Sequence, residues 1–249
     1  MKYIDLHTHT TCSDGLLSPR ELLDKAHTYG LSAISITDHD TLKAYDDVSI
    51  FEYAKELDIL LIPGIEFSTR SLSGKKYHVL GLYVDIKNKN LNDLIKKLQY
   101  DRYTYARDVG VLLEKDGWFI NFQEIINSGE SITKAHISRL IISNTKNHKK
   151  LFDIFSCIPN EGLFTEYFLI KGKKYYISND KSLDPKNAID AIHEAKGVAI
   201  LAHPAFNVMK GENLVELCNY FKALGIDGIE AINIQFNKTK DDERVDLVQ

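Results

Sequence analysis

The sequence predicts an α/β protein built on a parallel sheet, with a mostly helical insertion. Two observations predict it. Short β-branched runs alternate with helical patterns over residues 1–90, and the same alternation returns over 183–249. Between them, residues 91–182 carry helical periodicity and many charges. Strand–helix alternation calls for crossover connections and parallel neighbours, in a barrel or an open doubly wound sheet. No Gly-x-Gly-x-x-Gly follows the first strand, so a dinucleotide crevice has no support.

In order, Lys2–Leu6 is the first strand. Ser18 then caps a helix, with Pro19 at its first position and Glu21 closing a capping box. Ala33–Thr37 is the second strand, and a helical pattern follows over Lys43–Leu57. Ile59–Ile62, carried past Pro63-Gly64 by Ile65-Glu66-Phe67, is the third, and Tyr77–Val84 the fourth. Leu91–Lys115 opens the insertion as a charged helix. Trp118, Phe119 and Phe122 read as the insertion's own core, with stacking on a base as the other reading. Then come a helix at Pro185–Ala195, a strand at Val198–Ala202, a helix at Leu214–Leu224 and a strand at Gly228–Ile234.

A chain of 249 residues makes one to two domains and buries a core without staples. Its net charge of −4 leaves no polycationic face for long duplex nucleic acid. A hydrophobic content of 44% with 27% charged residues is that of a soluble globular protein and excludes wholesale disorder. No apolar run reaches the roughly 18 residues of a membrane span, and the amino end has no signal-peptide pattern. Cys12, Cys157 and Cys218 form no paired motif, the usage of a reducing compartment. The expected location is the cytoplasm, with no membrane partner.

The chemistry is carried by the ends of the strands. His7-Thr8-His9 closes the first. Alternate residues of a strand share a face, so His7 and His9 can bind one ion. Asp14-Gly15 follows in the same turn; Thr37-Asp38-His39-Asp40 ends the second strand, Glu66 the third, and Ala202-His203-Pro204 a later one, while the fourth carries His78. The carboxyl ends of barrel strands make one face, where active sites sit. One histidine at such an end is most often a hydrogen-bonded rim residue; the set together points to a metal centre. Imidazole and carboxylate without thiolate suits Zn²⁺, Mn²⁺ or Fe²⁺, and a shared Glu66 suits two or three ions. Arg102, Arg107 and Arg139 read equally as solvated helix faces and as cations for a phosphate. Cys12 reads as a small filler beside the site.

The motifs Asp5-Leu6-His7-Thr8-His9-Thr10 with Ser13-Asp14-Gly15, Thr37-Asp38-His39-Asp40, Pro63-Gly64-Ile65-Glu66 and Ala202-His203-Pro204 resemble the polymerase and histidinol phosphatase (PHP) family. The resemblance runs through nearly the whole chain. It is greatest to the stand-alone branch of nucleoside 3′,5′-bisphosphate phosphatases and 5′→3′ exoribonucleases. It implies a distorted (β/α)7 TIM-like barrel with up to three divalent ions. His7, His9 and Glu66 would hold the first; Glu66, His78 and His136 the second; Asp14 and His39 the third. His203 would serve the phosphate or the leaving group, and with Asp38 is taken as catalytic. Arg107, Lys134 and Arg139 would bind substrate phosphate. Lys134 stands where the branch carries Arg, a point charge in place of a bidentate fork. The family pattern closes with a strand ending in Asp-x-His, and no His follows His203 here, so the expected barrel lacks its last strand.

The function expected is metal-dependent hydrolysis of a phosphomonoester or terminal phosphodiester of a nucleotide or short single-stranded oligonucleotide. The alternative is a degenerate module of the family that binds metal or phosphate without hydrolysis.

Overall fold

The computed structural model describes residues 3–123, 131–178 and 182–231. Six strands form one curled sheet in sequence order: β1 (Tyr3–Thr8), β2 (Leu31–Ile36), β3 (Leu60–Arg70), β4 (Lys76–Leu82), β5 (Val198–Leu201) and β6 (Gly228–Ile229). The α/β class expected from the sequence holds, and the half-barrel curl matches a distorted TIM-like barrel. The continuation of the last strand to Ile234, and any closing strand, lie outside the described residues.

The sheet is not all parallel. β1, β2 and β3 run parallel, but β4 is antiparallel to both β3 and β5. Only residues 71–75 separate β3 from β4, too few for the crossover that a parallel pair needs. The reversal matters for the site: it brings the start of β4, where His78 lies, beside the far half of β3.

Pro63-Gly64 marks the changeover within β3. Residues up to Pro63 pair with β2, and residues from Gly64 pair with β4. A β-carbon on Gly64 would stand 2.3 Å from Ser35 Oγ and 2.8 Å from Thr37 Cγ2, so only glycine lets the strands approach there.

The helix α1 (Pro19–Thr28) carries the expected Ser18–Glu21 capping box. The pattern over Lys43–Leu57 is broken into a 3-10 turn at Lys43–Tyr45 and α2 (Ser49–Glu56). Tyr45 explains the break. Its buried hydroxyl donates to Ile36 O at 2.6 Å and receives the Gly64 N–H at 3.0 Å, tying the turn to two strands. α1 packs on β2, α2 on β3, and α7 (Pro185–Glu194) on β4 and β5. Leu23, Ile34, Ile65, Phe67 and Phe221 are fully enclosed there, each worth roughly 1.5–3 kcal/mol of transfer free energy.

α3 (Lys89–Lys115) belongs to two cores. Leu91, Ile95 and Leu98 pack with the sheet, while Ala106, Val109 and Leu113 join a separate helical core. That second core is completed by α4 (Lys134–Ser143), α5 (His148–Phe155) and α6 (Glu161–Phe168). Trp118 is buried in it and donates to Tyr175 Oη at 2.9 Å. Phe122 packs against it, whereas Phe119 is half exposed. Among the described residues no helix is long and apolar enough to cross a membrane.

Candidate metal centre

β1 delivers His7 and His9 to one side, as strand alternation requires, with their Nε2 atoms 3.3 Å apart. The turn after β1 is tied to the end of β2 through Asp38. The Asp38 carboxylate accepts from Thr10 N–H at 2.7 Å, Thr10 Oγ1 at 2.6 Å and Ser13 Oγ. Gly15 closes this turn, where a β-carbon would collide with the His9 carbonyl at 2.3 Å. The turn thereby sets Asp14 beside His9 Nδ1 at 3.8 Å and His39 Nε2 at 3.6 Å.

Glu66 is the centre of the arrangement. It is 1% exposed, and five imidazoles surround its two oxygens. His7, His9 and His39 approach Oε2 at 3.4, 3.2 and 3.0 Å. His78 and His203 approach Oε1 at 2.8 and 3.1 Å. Burial alone would raise this carboxyl, but the charges of His39 and His78, with His203 and His7 against its oxygens, hold it well below the usual carboxylate range. His39, its side chain 14% exposed, is pulled down to about 4 by burial, against the opposing attraction of Glu66 and Asp14.

The donor set fits divalent cations. Three groups bring their ligand atoms within 4.8 Å of one another: His7, His9 and Glu66; His9, Asp14 and His39; and His39, Glu66 and His78. Glu66 Oε2 and His39 Nδ1 are buried atoms without a hydrogen-bond partner, although only 3.0 Å apart. Donors that converge at this distance without sharing a proton suit a cation between them. Nitrogen and carboxylate oxygen without sulfur suit Zn²⁺, Mn²⁺ or Fe²⁺.

The sequence-derived candidates fall in different places. His7, His9, Asp14, His39, Glu66 and His78 come together. His203 joins them: it touches the same Glu66 oxygen as His78, and the two rings are 5.0 Å apart. His136 is buried at the start of α4, where its Nδ1 lies 3.2 Å from Thr133 N and 3.1 Å from Thr133 Oγ1. It lowers the Asp14 carboxyl through space, but among the described residues it joins none of the donor groups. Asp38 holds the turn, as described. Arg107 is exposed and bound to Asp108 at 2.8 Å. Arg139 pairs with Glu161 at 2.7 Å.

Lys134 does reach the site's margin. It lines a cavity of about 310 Å³ with Arg70, Lys76, Arg102, Tyr105 and Tyr176, and this cavity shares Asp14, His39 and His78 with the one over the histidines. Burial and the nearby charges of Lys76 and Arg70 pull Lys134 down to about 8. Among the described residues no carboxylate pairs with Arg70, Lys76 or Lys134. Arg102 lies deeper, bonded to Asp40, Ile132 O and Ser68 Oγ.

Sequence reasoning missed Arg70, Lys76 and Glu230. Glu230 Oε1 lies 3.2 Å from His7 Nδ1, and its other oxygen accepts the His203 backbone N–H. Its only sequence signal was a lone carboxylate inside the apolar run Gly228-Ile-Glu-Ala-Ile.

The PHP domain model matches residues 5–168. The chain is 33% identical to a 5′-3′ exoribonuclease of Haemophilus influenzae, over 98% of this chain and 83% of that one. It is 30% identical to a 3′,5′-nucleoside bisphosphate phosphatase of Chromobacterium violaceum, over 92% and 76%. In structure it is similar to an amidohydrolase from Chromobacterium violaceum with bound sulfate and no metal: TM-score 0.73 and 27% identity, covering 92% of this chain and 76% of that one.

Proposed function

This chain belongs to the PHP domain family, and from that premise we propose that it is a metal-dependent phosphoesterase acting on a nucleotide or the end of a short single-stranded oligonucleotide. The observation that carries the proposal is Glu66, buried with five imidazole nitrogens 2.8–3.4 Å from its two oxygens. Its carboxylate would be shared between ions, one held with His7 and His9 and another with His78. We assign His203 to the His78 side, in place of His136, on the strength of its contact with Glu66 Oε1. Asp14 and His39 would serve a third ion. Divalent ions, two or three, would supply there the activation of a water as nucleophile and a clamp for the phosphoryl oxygens.

The residues around the centre do the rest. Asp38 keeps the Thr10–Gly15 turn, and so Asp14, in place. Arg70, Lys76 and Lys134 line the adjoining cavity without carboxylate partners among the described residues, which supports a second anionic group on the substrate. Such a group is a further phosphate of a nucleotide or the next linkage of an oligonucleotide. Tyr105 and Tyr176 line the same cavity, with the Lys134 ammonium 5.9 Å from each ring centre. The relatives named as an exoribonuclease and a bisphosphate phosphatase fit this substrate class. Three free cysteines support a reducing, cytoplasmic location.

The test is phosphate release from a 3′,5′-bisphosphonucleotide and from a short 5′-phosphorylated RNA, with Mn²⁺ supplied. The expected result is turnover that a chelator abolishes and Mn²⁺ restores. A metal-loaded protein that cleaves neither substrate refutes the proposal.

A further inference from the structure

We infer that Glu230 is a positioning residue of the metal centre, fixing the tautomer of His7 and the turn that presents His203 with one carboxylate. The inference rests on the metal-centre reading above. Glu230 follows β6 directly, and its own N–H donates to Leu201 O at 2.9 Å, so its backbone is tied to the end of β5. From there Oε1 reaches His7 Nδ1 at 3.2 Å, across 223 residues of sequence. The second oxygen accepts the His203 N–H.

The first contact decides which nitrogen of His7 is a ligand. His7 Nε2 faces the centre, 3.4 Å from Glu66 Oε2 and 3.3 Å from His9 Nε2. A neutral imidazole carries one proton. With that proton on Nδ1 and donated to Glu230, the Nε2 lone pair is free for an ion; with the proton on Nε2 it is not. A carboxylate behind a ligating imidazole orients the ring and raises its basicity.

The second contact acts on the backbone. His203 has φ +32, in the left-handed region that a residue with a β-carbon rarely adopts, and Pro204 follows it. A charge-assisted bond to the N–H of that residue steadies the turn. The turn in turn aims His203 Nε2 at Glu66 Oε1, 3.1 Å away. One side chain thus serves two imidazoles, stacked 5.6 Å apart, that approach different oxygens of Glu66.

Glu230→Gln separates this role from simple bulk. Glutamine has the same shape but only one acceptor oxygen, whereas the two contacts need two. Mn²⁺ is titrated into the full chain and the variant, followed by the signal of free Mn²⁺ in electron paramagnetic resonance. The expected result is one binding step weakened 10–100-fold, the range for loss of such an outer partner, with an unchanged apo melting curve. Equal affinity at every step overturns the inference. A variant that fails to fold passes the decision to the wild-type protein loaded with Zn²⁺, by the ¹⁵N spectrum of His7. A proton on Nδ1 with the ion on Nε2 supports the inference, and the reverse overturns it. Wild-type protein that takes up neither Mn²⁺ nor Zn²⁺ refutes the phosphoesterase proposal and this inference with it.

Discussion

Replacing Arg102 with Met tests how the helical insertion is fastened to the sheet. Arg102 leaves α3 midway between the two cores and inserts its guanidinium under the end of β2. Its Nε donates to Asp40 Oδ2 at 2.7 Å, Nη1 to Ile132 O at 3.0 Å and Nη2 to Ser68 Oγ at 2.9 Å. The Asp40 side chain is 4% exposed and that of Arg102 17%. Methionine fills the volume of the stem but leaves the Asp40 carboxyl group enclosed without its guanidinium partner. Breaking a buried pair from one side costs about 3–5 kcal/mol. Asp40 keeps one donor, Ser68 N–H at 3.0 Å, so the low end, about 3 kcal/mol, applies. For a chain of this size that lowers the melting temperature by roughly 6–12 °C.

The companion variant is Asp40→Asn with Arg102→Met. With the charge removed, most of the loss returns, and the double-mutant cycle gives a coupling of at least about 1.5 kcal/mol. Thermal and urea unfolding followed by circular dichroism measures both. An Arg102→Met loss below about 1 kcal/mol, or a double variant as unstable as the sum of its parts, refutes the buried-pair argument.

Three further outcomes are expected. His9→Ala, which removes a donor shared by two groups, loses bound metal and lowers kcat at least about 100-fold; inductively coupled plasma mass spectrometry and phosphate release check it. Lys76→Ala raises KM for a bisphosphonucleotide about tenfold, as loss of one partly buried phosphate contact would, while Arg107→Ala, on an exposed cation paired with Asp108, leaves steady-state kinetics within about threefold. Glu212 is raised by burial, but hydrogen bonds from Asn207, Lys75 and Tyr77 outweigh that and hold its carboxyl below the usual value. Its contribution to stability is therefore full above about pH 4.3 and lost as pH falls through the lower folded value. Glu212→Gln should flatten the acid limb of the stability–pH curve; an unchanged limb contradicts the assignment.

Local chemistry made much of the fold and part of the site legible in the chain. Ser18-Pro19-x-Glu21 specifies a helix start through contacts within one turn, and α1 begins there. His7 and His9 share a face because strand alternation requires it. His39 lies just past the end of β2, where its apolar run stops; Glu66 does not end its strand, because pairing with β4 carries β3 on to Arg70. The break at Tyr45 was not legible, because it depends on a hydroxyl bonding to Ile36 and Gly64 on two other strands.

Which histidine meets Glu66 was likewise beyond the sequence. His136 and His203 have the same chemistry, and only strand order and register place His203 against a carboxylate 137 residues away in sequence. The reversal of β4 had the same origin, a five-residue connection too short for a crossover. Glu230 and Arg102 gained their roles from partners 223 and 62 positions distant. The sequence by itself determined the donor types and the strands that carry them, because those depend on neighbours a few residues apart. Tertiary structure alone decided how the donors are shared out and which outer residues orient them, because that is set by how distant strands pair across the sheet.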